Sequence, residues 1–304
     1  DTENVTYAAD GRPIYDYIQV GSYSDGDPIF RSFRKSDLVL TNAAQDGKST
    51  TISFAADKSY DFGLSVNIGY AYNKSEDVTP MASSVAYSNF TNFASSDPLN
   101  PGLATSNYEV PHRFTFNLRY SAEFFDGYET SFSLFGSRQK GRPFSYTFDS
   151  INIGEAQYGT DNALLYIPEV DDPIVTYADG FNLDEFNAFI DSAGLARGEI
   201  ADRNSQNARW YTRVDFRIDQ DLPGFMEGHK ANAYFIIKNV GNFLNDDWGV
   251  RRIGPFVSAP VLDATLNSDG TYTYNEFLSG NTNQNGFFTE QSLWQIRMGV
   301  KYSF

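Results

Sequence analysis

The chain has two histidines, His112 and His229, and no cysteine, so the residue types that most often serve as general base or nucleophile are scarce. Without thiols there is no disulfide framework and no thiolate nucleophile or thiolate metal site. A histidine-dependent hydrolase would need one of the two beside a nucleophile and a carboxylate. His112 is the sole candidate, and no elbow or triad motif accompanies it. It reads as a polar rim residue, and the chain reads as no enzyme.

Carboxylates are the second source of chemistry. Residues 145–208 hold twelve Asp or Glu and two Arg, so about −10 of the formal −16 lies in one stretch. A solvated acidic loop is the default for such a run. The functional options are a cationic substrate, or Ca²⁺ or Mg²⁺ bridging within the loops or to anionic lipopolysaccharide. Asp171, Asp172 and Asp179 are the ligands to inspect, and no other cofactor is expected. Asn267–Ser268–Asp269–Gly270 with Glu276 matches part of an EF-hand loop. Thr265 stands at its first ligand position and no flanking helices are evident, so a hairpin tip at Ser268–Thr271 is the better account. The acidic balance argues against a nucleic-acid partner.

A third set of charges sits within alternating segments: Arg113, Arg119, Arg209, Arg213, Asp215, Arg217 and Asp219. Their apolar neighbours hold the other parity, so all seven point to one face of a sheet. There they would line a wet interior or pair with each other across strands.

The same period of two runs through much of the chain. Ile52, Phe54 and Ala56 lead to a turn at 57–61, then Phe62, Leu64, Val66, Ile68, Tyr70 and Tyr72 alternate with polar or small residues. Phe114, Phe116, Leu118, Tyr120, Ala122 and Phe124 face Arg113 to Glu123 on the other parity; a turn at Asp126–Gly127 leads to Tyr128, Thr130, Phe132 and Leu134. Trp210, Val214, Phe216 and Ile218 follow, and residues 231–240 are less clean because Tyr234, Phe235, Ile236 and Ile237 run together. The last strand is the plainest: Trp294, Ile296, Met298, Val300, Tyr302 and Phe304 against Gln295, Arg297, Gly299, Lys301 and Ser303.

These seven strands of about ten to thirteen residues suit a tilted bilayer crossing, whereas soluble strands average about five or six. Short turns at 57–61, 124–128 and 220–230 alternate with long connections at 74–111, 145–208 and 244–291. That is the pattern of a transmembrane β-barrel with long extracellular loops. No apolar run approaches the length of a membrane helix, which excludes a helical membrane protein. Tyr70, Tyr72, Phe124, Tyr128, Trp210, Trp294, Tyr302 and Phe304 lie near strand ends and are candidates for two aromatic girdles. Residues 1–36 read as a surface loop, followed by apolar Leu38–Val39–Leu40 and a turn signal at Asp46–Gly47. Within 145–208, Asn182 followed by Leu183, Phe186, Phe189 and Ile190, with Glu185 three residues on, predicts a capped amphipathic helix that folds the loop.

Several phrases in order carry a family resemblance: TTISFAADKSYDFGLSVNIGYAYNKSED, PHRFTFNLRY, GSRQKGRPFSYTF, GEIADRNSQNARWYTRVDFRIDQDLP, ANAYFIIKNVGNFLNDDWG and the terminal strand. Together they cover most of 37–304, and the chain resembles the C-terminal part of Oar-like TonB-dependent receptors of the Gram-negative outer membrane. The resemblance implies a multi-pass 22-stranded barrel with an N-terminal plug, energised through a TonB box. This chain would supply seven or eight strands and no plug. Its partners would be lipid and lipopolysaccharide, the plug and remaining strands, the TonB system through the plug, the barrel-assembly machinery and an unknown extracellular substrate. Trp294, Ile296, Met298, Val300, Tyr302 and Phe304 would form the closing strand and assembly signal. The expected function is a receptor or transporter wall with its substrate entrance. The alternative is a structural or adhesive barrel segment binding lipopolysaccharide, surface-layer protein or a partner protein.

Overall fold

The computed structural model describes residues 5–15, 19–22, 28–30, 41–149, 162–254, 258–282 and 289–304. Two hairpins come first, β1 (Val5–Tyr7) with β2 (Pro13–Tyr15) and β3 (Gln19–Ser22) with β4 (Pro28–Phe30). Then follow β5 (Lys48–Ser59), β6 (Leu64–Asp77), α1 (Ala86–Thr91), β7 (Ala104–Thr105), β8 (His112–Phe125) and β9 (Tyr128–Gln139). The next connection holds β10 (Pro143–Phe144), β11 (Tyr146–Phe148), β12 (Tyr166–Ile167), β13 (Val175–Tyr177), α2 (Leu183–Ala193), β14 (Glu199–Ile200) and β15 (Gln206–Asn207). After β16 (Tyr211–Pro223) and β17 (Lys230–Lys238) come α3 (Val240–Leu244), β18 (Ala259–Leu266) and β19 (Tyr272–Phe277). The chain finishes with α4 (Ser279–Thr282), α5 (Thr289–Ser292) and β20 (Gln295–Ser303).

The protein is all-β, and its largest sheet runs β20-β17-β16-β9-β8-β6-β5 with β7 on the end of β6. Every pairing in it is antiparallel. The seven long strands are those that period-two alternation predicts. The sheet is open: β5 and β20 are its edges, and no closed barrel forms among the described residues. Asp46–Gly47 leads into edge strand β5, and Leu38–Leu40 lies outside the described residues. No helix is long and apolar enough to cross a membrane, which says nothing about strands.

Register puts the apolar parity of all seven strands on one face. Ile52 faces Tyr72, Ile68 faces Phe116, Leu118 faces Leu134, Phe216 faces both Leu134 and Ile237, and Ile237 faces Ile296. The ambiguous run in β17 is settled the same way: Phe235 joins Met298 on the apolar face, and Tyr234 faces Gly299 on the polar one. A one-residue slip would reverse every side chain, so alternation on both neighbours fixes this register. Phe135 is an apolar exception on the polar face, opposite Asn117 and Asp215.

This sheet has no core of its own. No apolar residue of its seven long strands is buried, and Phe54, Met298, Val300 and Phe304 are 68%, 74%, 71% and 97% exposed. The buried core lies in the connections instead. There β11-β18-β19-β13 form a second sheet, with β11–β18 and β13–β19 parallel. Phe148, Leu165, Ile167, Phe186, Val261, Leu262, Tyr272 and Tyr274 are wholly enclosed within it and the elements around it. Helix α2 forms as expected: the Asn182 side chain accepts from Glu185 N, Gly194 ends the helix left-handed, and Phe186, Phe189 and Ile190 turn into the core.

The long connections are therefore a folded cap, where the sequence predicts loops carrying one helix and one hairpin tip. The first 36 residues also depart from a plain surface loop, because Ala8 and Ile14 belong to the cap core. Buried Arg12 binds Asp10 at 2.9 Å, donates to Leu164 O at 2.7 Å, and lies over the Phe148 ring. A buried guanidinium demands such partners, which ties this segment to the next connection.

Candidate functional site

The large sheet presents two faces. On the apolar one, rings gather at both ends. At the loop end Tyr70 Oη lies 3.0 Å from His112 Nδ1, His112 stacks on Trp210, and Arg138 lies over Trp210. Phe243 and Trp294 make a second ring pair at this end. At the turn end Tyr302 Oη lies 2.8 Å from His229 Nδ1, with Phe225 stacked on Tyr302 and Phe304 near His229. Phe124 packs edge-on against Phe132. The twelve residue steps from His112 to Phe124 span about 40 Å of strand, or about 28 Å at a 45° tilt. His112 thus belongs to an aromatic cluster on the apolar face, among Tyr70, Tyr72 and Trp210.

The polar face carries the charges that the sequence placed there. Arg213 binds Asp215 at 3.0 Å and Arg217 binds Asp219 at 2.5 Å. Both pairs run along one strand at i, i+2 rather than across strands. Same-parity neighbours on a pleated strand share a face, so the forked guanidinium reaches its own strand's carboxylate. Arg119 does cross, to Glu129 of β9 at 3.1 Å. Arg113 lies on the same face, opposite Ala71 and Gln139. Arg209 precedes β16 and is exposed. The polar face contains a concavity of about 380 Å³, lined by Arg119, Glu129, Ser133, Arg217, Asp219 and Asn232 among others.

At the loop end of this face lies a larger pocket, about 480 Å³, whose existence the alternation pattern could not reveal. Gln139 and Tyr211, paired across β9 and β16, form its floor, and Arg142, Arg251, Arg252 and Tyr108 line it. Arg251 lies over the Tyr211 ring at 5.5 Å, and Arg142 over Tyr108 at 6.0 Å. The one sequence signal was the Arg251–Arg252 pair in an acidic chain.

The acidic candidates separate. Asp172 Oδ2 accepts from Tyr166 Oη at 2.8 Å and Glu169 N at 3.0 Å, while Oδ1 accepts from Ile174 N at 3.1 Å. Burial alone would raise its pKa, but these hydrogen bonds outweigh it and hold the carboxyl below its ordinary value. Tyr166 is pushed up by burial and by Asp172. Asp171 and Asp179 are exposed, and no group of three His, Asp or Glu with metal-site geometry occurs among the described residues. The Asn267–Thr271 segment is a hairpin tip between β18 and β19, closed by Asn267 N to Thr271 O at 2.8 Å with Gly270 at φ 85°. Glu276 pairs with Asp263 in that hairpin.

Arg203 holds cap to sheet. It is buried, binds Asp77 Oδ1 at 2.8 Å, donates to Val78 O at 2.8 Å, and also reaches Asp77 O and Ala104 O. Burial lowers its pKa, and Asp77 opposes that shift.

No family model, curated protein or solved structure matches the chain.

Proposed function

We propose that this chain is a wall segment of an outer-membrane β-barrel, resembling the C-terminal part of an Oar-like TonB-dependent receptor. In that reading the apolar face meets lipid, the polar face lines the channel, and the cap shapes the extracellular entrance. The observation that carries it is a seven-strand sheet with one continuous exposed apolar face, bounded by aromatic clusters about one bilayer core apart.

Alternatives cost more. Each large apolar side chain left in water forgoes about 1.5–3 kcal/mol of burial, and soluble monomers rarely expose such a continuous patch. In lipid, unpaired backbone groups along β5 and β20 cost several kcal/mol each, so both edges require further strands. The 22-stranded closure, the plug that gates passage and the coupling to TonB belong to this proposal, as does β20 as closing strand and assembly signal. A structural or adhesive barrel is the second reading, favoured by a cap with a hydrophobic core of its own.

The chain contains no cysteine, so single cysteines label cleanly. Nitroxides at Met298→Cys and Val300→Cys, in outer-membrane vesicles of cells expressing the protein, should collide with dissolved oxygen in the lipid. Labels at Arg297→Cys and Lys301→Cys should collide with an aqueous nickel chelate. The membrane reading is sunk by equal aqueous access at all four positions.

A further inference from the structure

We propose that the apolar face carries, at its loop end, a site for the anionic phosphate headgroup of a membrane lipid, centred on Arg138 and Lys140. Arg138 stands on the apolar parity of β9, and Lys140 follows it two residues and about 7 Å along the same line. Arg138 faces Phe114 on β8 and Thr212 on β16, one step inside the row that Tyr72 and His112 form. Lys140 N donates to His112 O at 3.0 Å, which sets Lys140 on that row. Charge on this face runs against the chain's own balance of −16. Along the seven long strands the apolar parity holds one carboxylate, Glu76, against Lys48, Lys58, Lys74 and Arg138. Glu76 is already bound to Lys48 at 3.0 Å and to Lys74 at 3.4 Å. Among the described residues no carboxylate meets Arg138, which is exposed, or Lys140.

A ring holds Arg138 in place. Its Cζ lies 5.5 Å from the Trp210 centroid, and His112 stacks on the same indole at 6.0 Å while Tyr70 Oη sits 3.0 Å from His112 Nδ1. A guanidinium lying over an indole keeps N–H donors for other partners, and its planar fork matches two oxygens of a phosphate. A cation on a lipid-facing strand is tolerated where its head reaches headgroup level and its stem lies along apolar surface. The occupant follows from the wall beside it. Phe114, Phe116, Leu118 and Leu134 continue the apolar face from Arg138 toward the middle of the sheet. A free phosphate ion would use the cations and leave that wall bare. A lipid covers both, with its phosphate on Arg138 and Lys140 and its acyl chains along the wall.

This inference rests on the membrane reading and adds a headgroup class to it. Trp210 is the reporter, once Trp248→Phe and Trp294→Phe have removed the other two tryptophans. The full chain carrying those two changes is placed in phosphatidylcholine vesicles. Rising fractions of phosphatidic acid, phosphatidylcholine or a fatty acid are added, each brominated near the headgroup, and quenching is read against the unbrominated lipid. Phosphatidic acid should reach half-maximal quenching at an about tenfold lower fraction than phosphatidylcholine, the size of one charge-assisted contact. Arg138→Gln should erase that preference, with Arg138→Lys intermediate, and Lys140→Gln should reduce it. Lys238→Gln, at the same end of the sheet on the polar face, should leave it unchanged. Inorganic phosphate should not displace the brominated lipid. If Arg138→Gln does not insert, Lys140→Gln decides on the same lipids. The proposal is overturned by an Arg138→Gln or Lys140→Gln protein that keeps the full preference, or by Lys238→Gln losing it as much. A fatty acid matching phosphatidic acid would overturn the phosphate, and displacement by inorganic phosphate would overturn the lipid. Equal quenching by all three lipids overturns this inference and leaves the membrane reading standing. Quenching by none overturns it too, and the labels at 298 and 300 report on the membrane reading separately.

Discussion

The Tyr234 ring lies across Gly299, its register partner on β20, so closely that a Cβ on Gly299 would fall 2.5 Å from Tyr234 Oη. Arg217 stacks on the same ring with its Cζ 5.0 Å from the centroid, while binding Asp219. An aromatic ring over a facing glycine fills the space that the missing side chain leaves. Phe116 and Gly136 repeat the device on the apolar face, where an added Cβ would come 2.2 Å from the Phe116 ring. Tyr234 thus stands on the polar face because Gly299 needs a cover and Arg217 a platform.

Gly299→Val should evict Tyr234 from that position. The expected cost is about 1–3 kcal/mol, the range for overpacking. Urea unfolding from phospholipid vesicles would show it as a lowered midpoint with unchanged slope. An unchanged midpoint would mean that Tyr234 moves aside freely.

Arg203→Ala should loosen the junction of cap and sheet. It leaves Asp77 and the carbonyls of Val78 and Ala104 without this donor, and breaking a buried charge pair costs about 3–5 kcal/mol. Hydrogen exchange should quicken across residues 77–110 and 200–208 while the middles of β8 and β9 stay protected.

Phe186→Ala tests whether the cap stands on its own core. Phe186 is fully buried against Phe181, Phe189, Tyr274 and Phe277. Its truncation should cost the cap about 3–5 kcal/mol. Proteolysis should then cut within 162–208 and leave the seven-strand sheet intact. Simultaneous loss of both would show a single cooperative unit.

Acid should loosen the Asp172 turn. Its carboxyl is held below its ordinary value in the folded chain, so the stabilisation is fully present above the unfolded pKa of about 3.9. It is lost as pH falls through the folded value. Asp172→Asn should therefore destabilise the cap at pH 7, and the gap between variant and parent should close toward pH 2. A gap independent of pH would assign the effect to shape.

The large sheet was legible in the sequence because alternation is a local signal repeated over nine to fourteen residues in each strand. Where the pattern blurred, at Tyr234–Ile237, only the neighbours' register could decide which residues faced which way. Helix α2 was legible for the same local reason, through its cap and apolar spacing. The cap sheet was not. Tyr146–Phe148 and Val175–Tyr177 are three residues each, too short for periodicity, and their partners Ala259–Leu262 and Tyr272–Tyr274 lie about a hundred residues away. The loop-end pocket was hidden because Arg142 and Arg251 come from different connections and line one cavity only once the strands are folded. Alternation placed the charges at 213–219 on one face, but their partners were not legible because i, i+2 and cross-strand neighbours both lie within an arginine's reach.

Because β11 pairs with β18 and β13 with β19, the cap interleaves pieces from either side of the β16–β17 hairpin. The earlier connection must wait, half-built, until that hairpin has been laid down and the later connection has emerged. Completion of the cap is thus a late event in the chain's assembly. Once made, it works as a clasp, tying the connection before β16 to the connection after β17. Trimming either connection alone would strand its partner's strands and leave the clasp open.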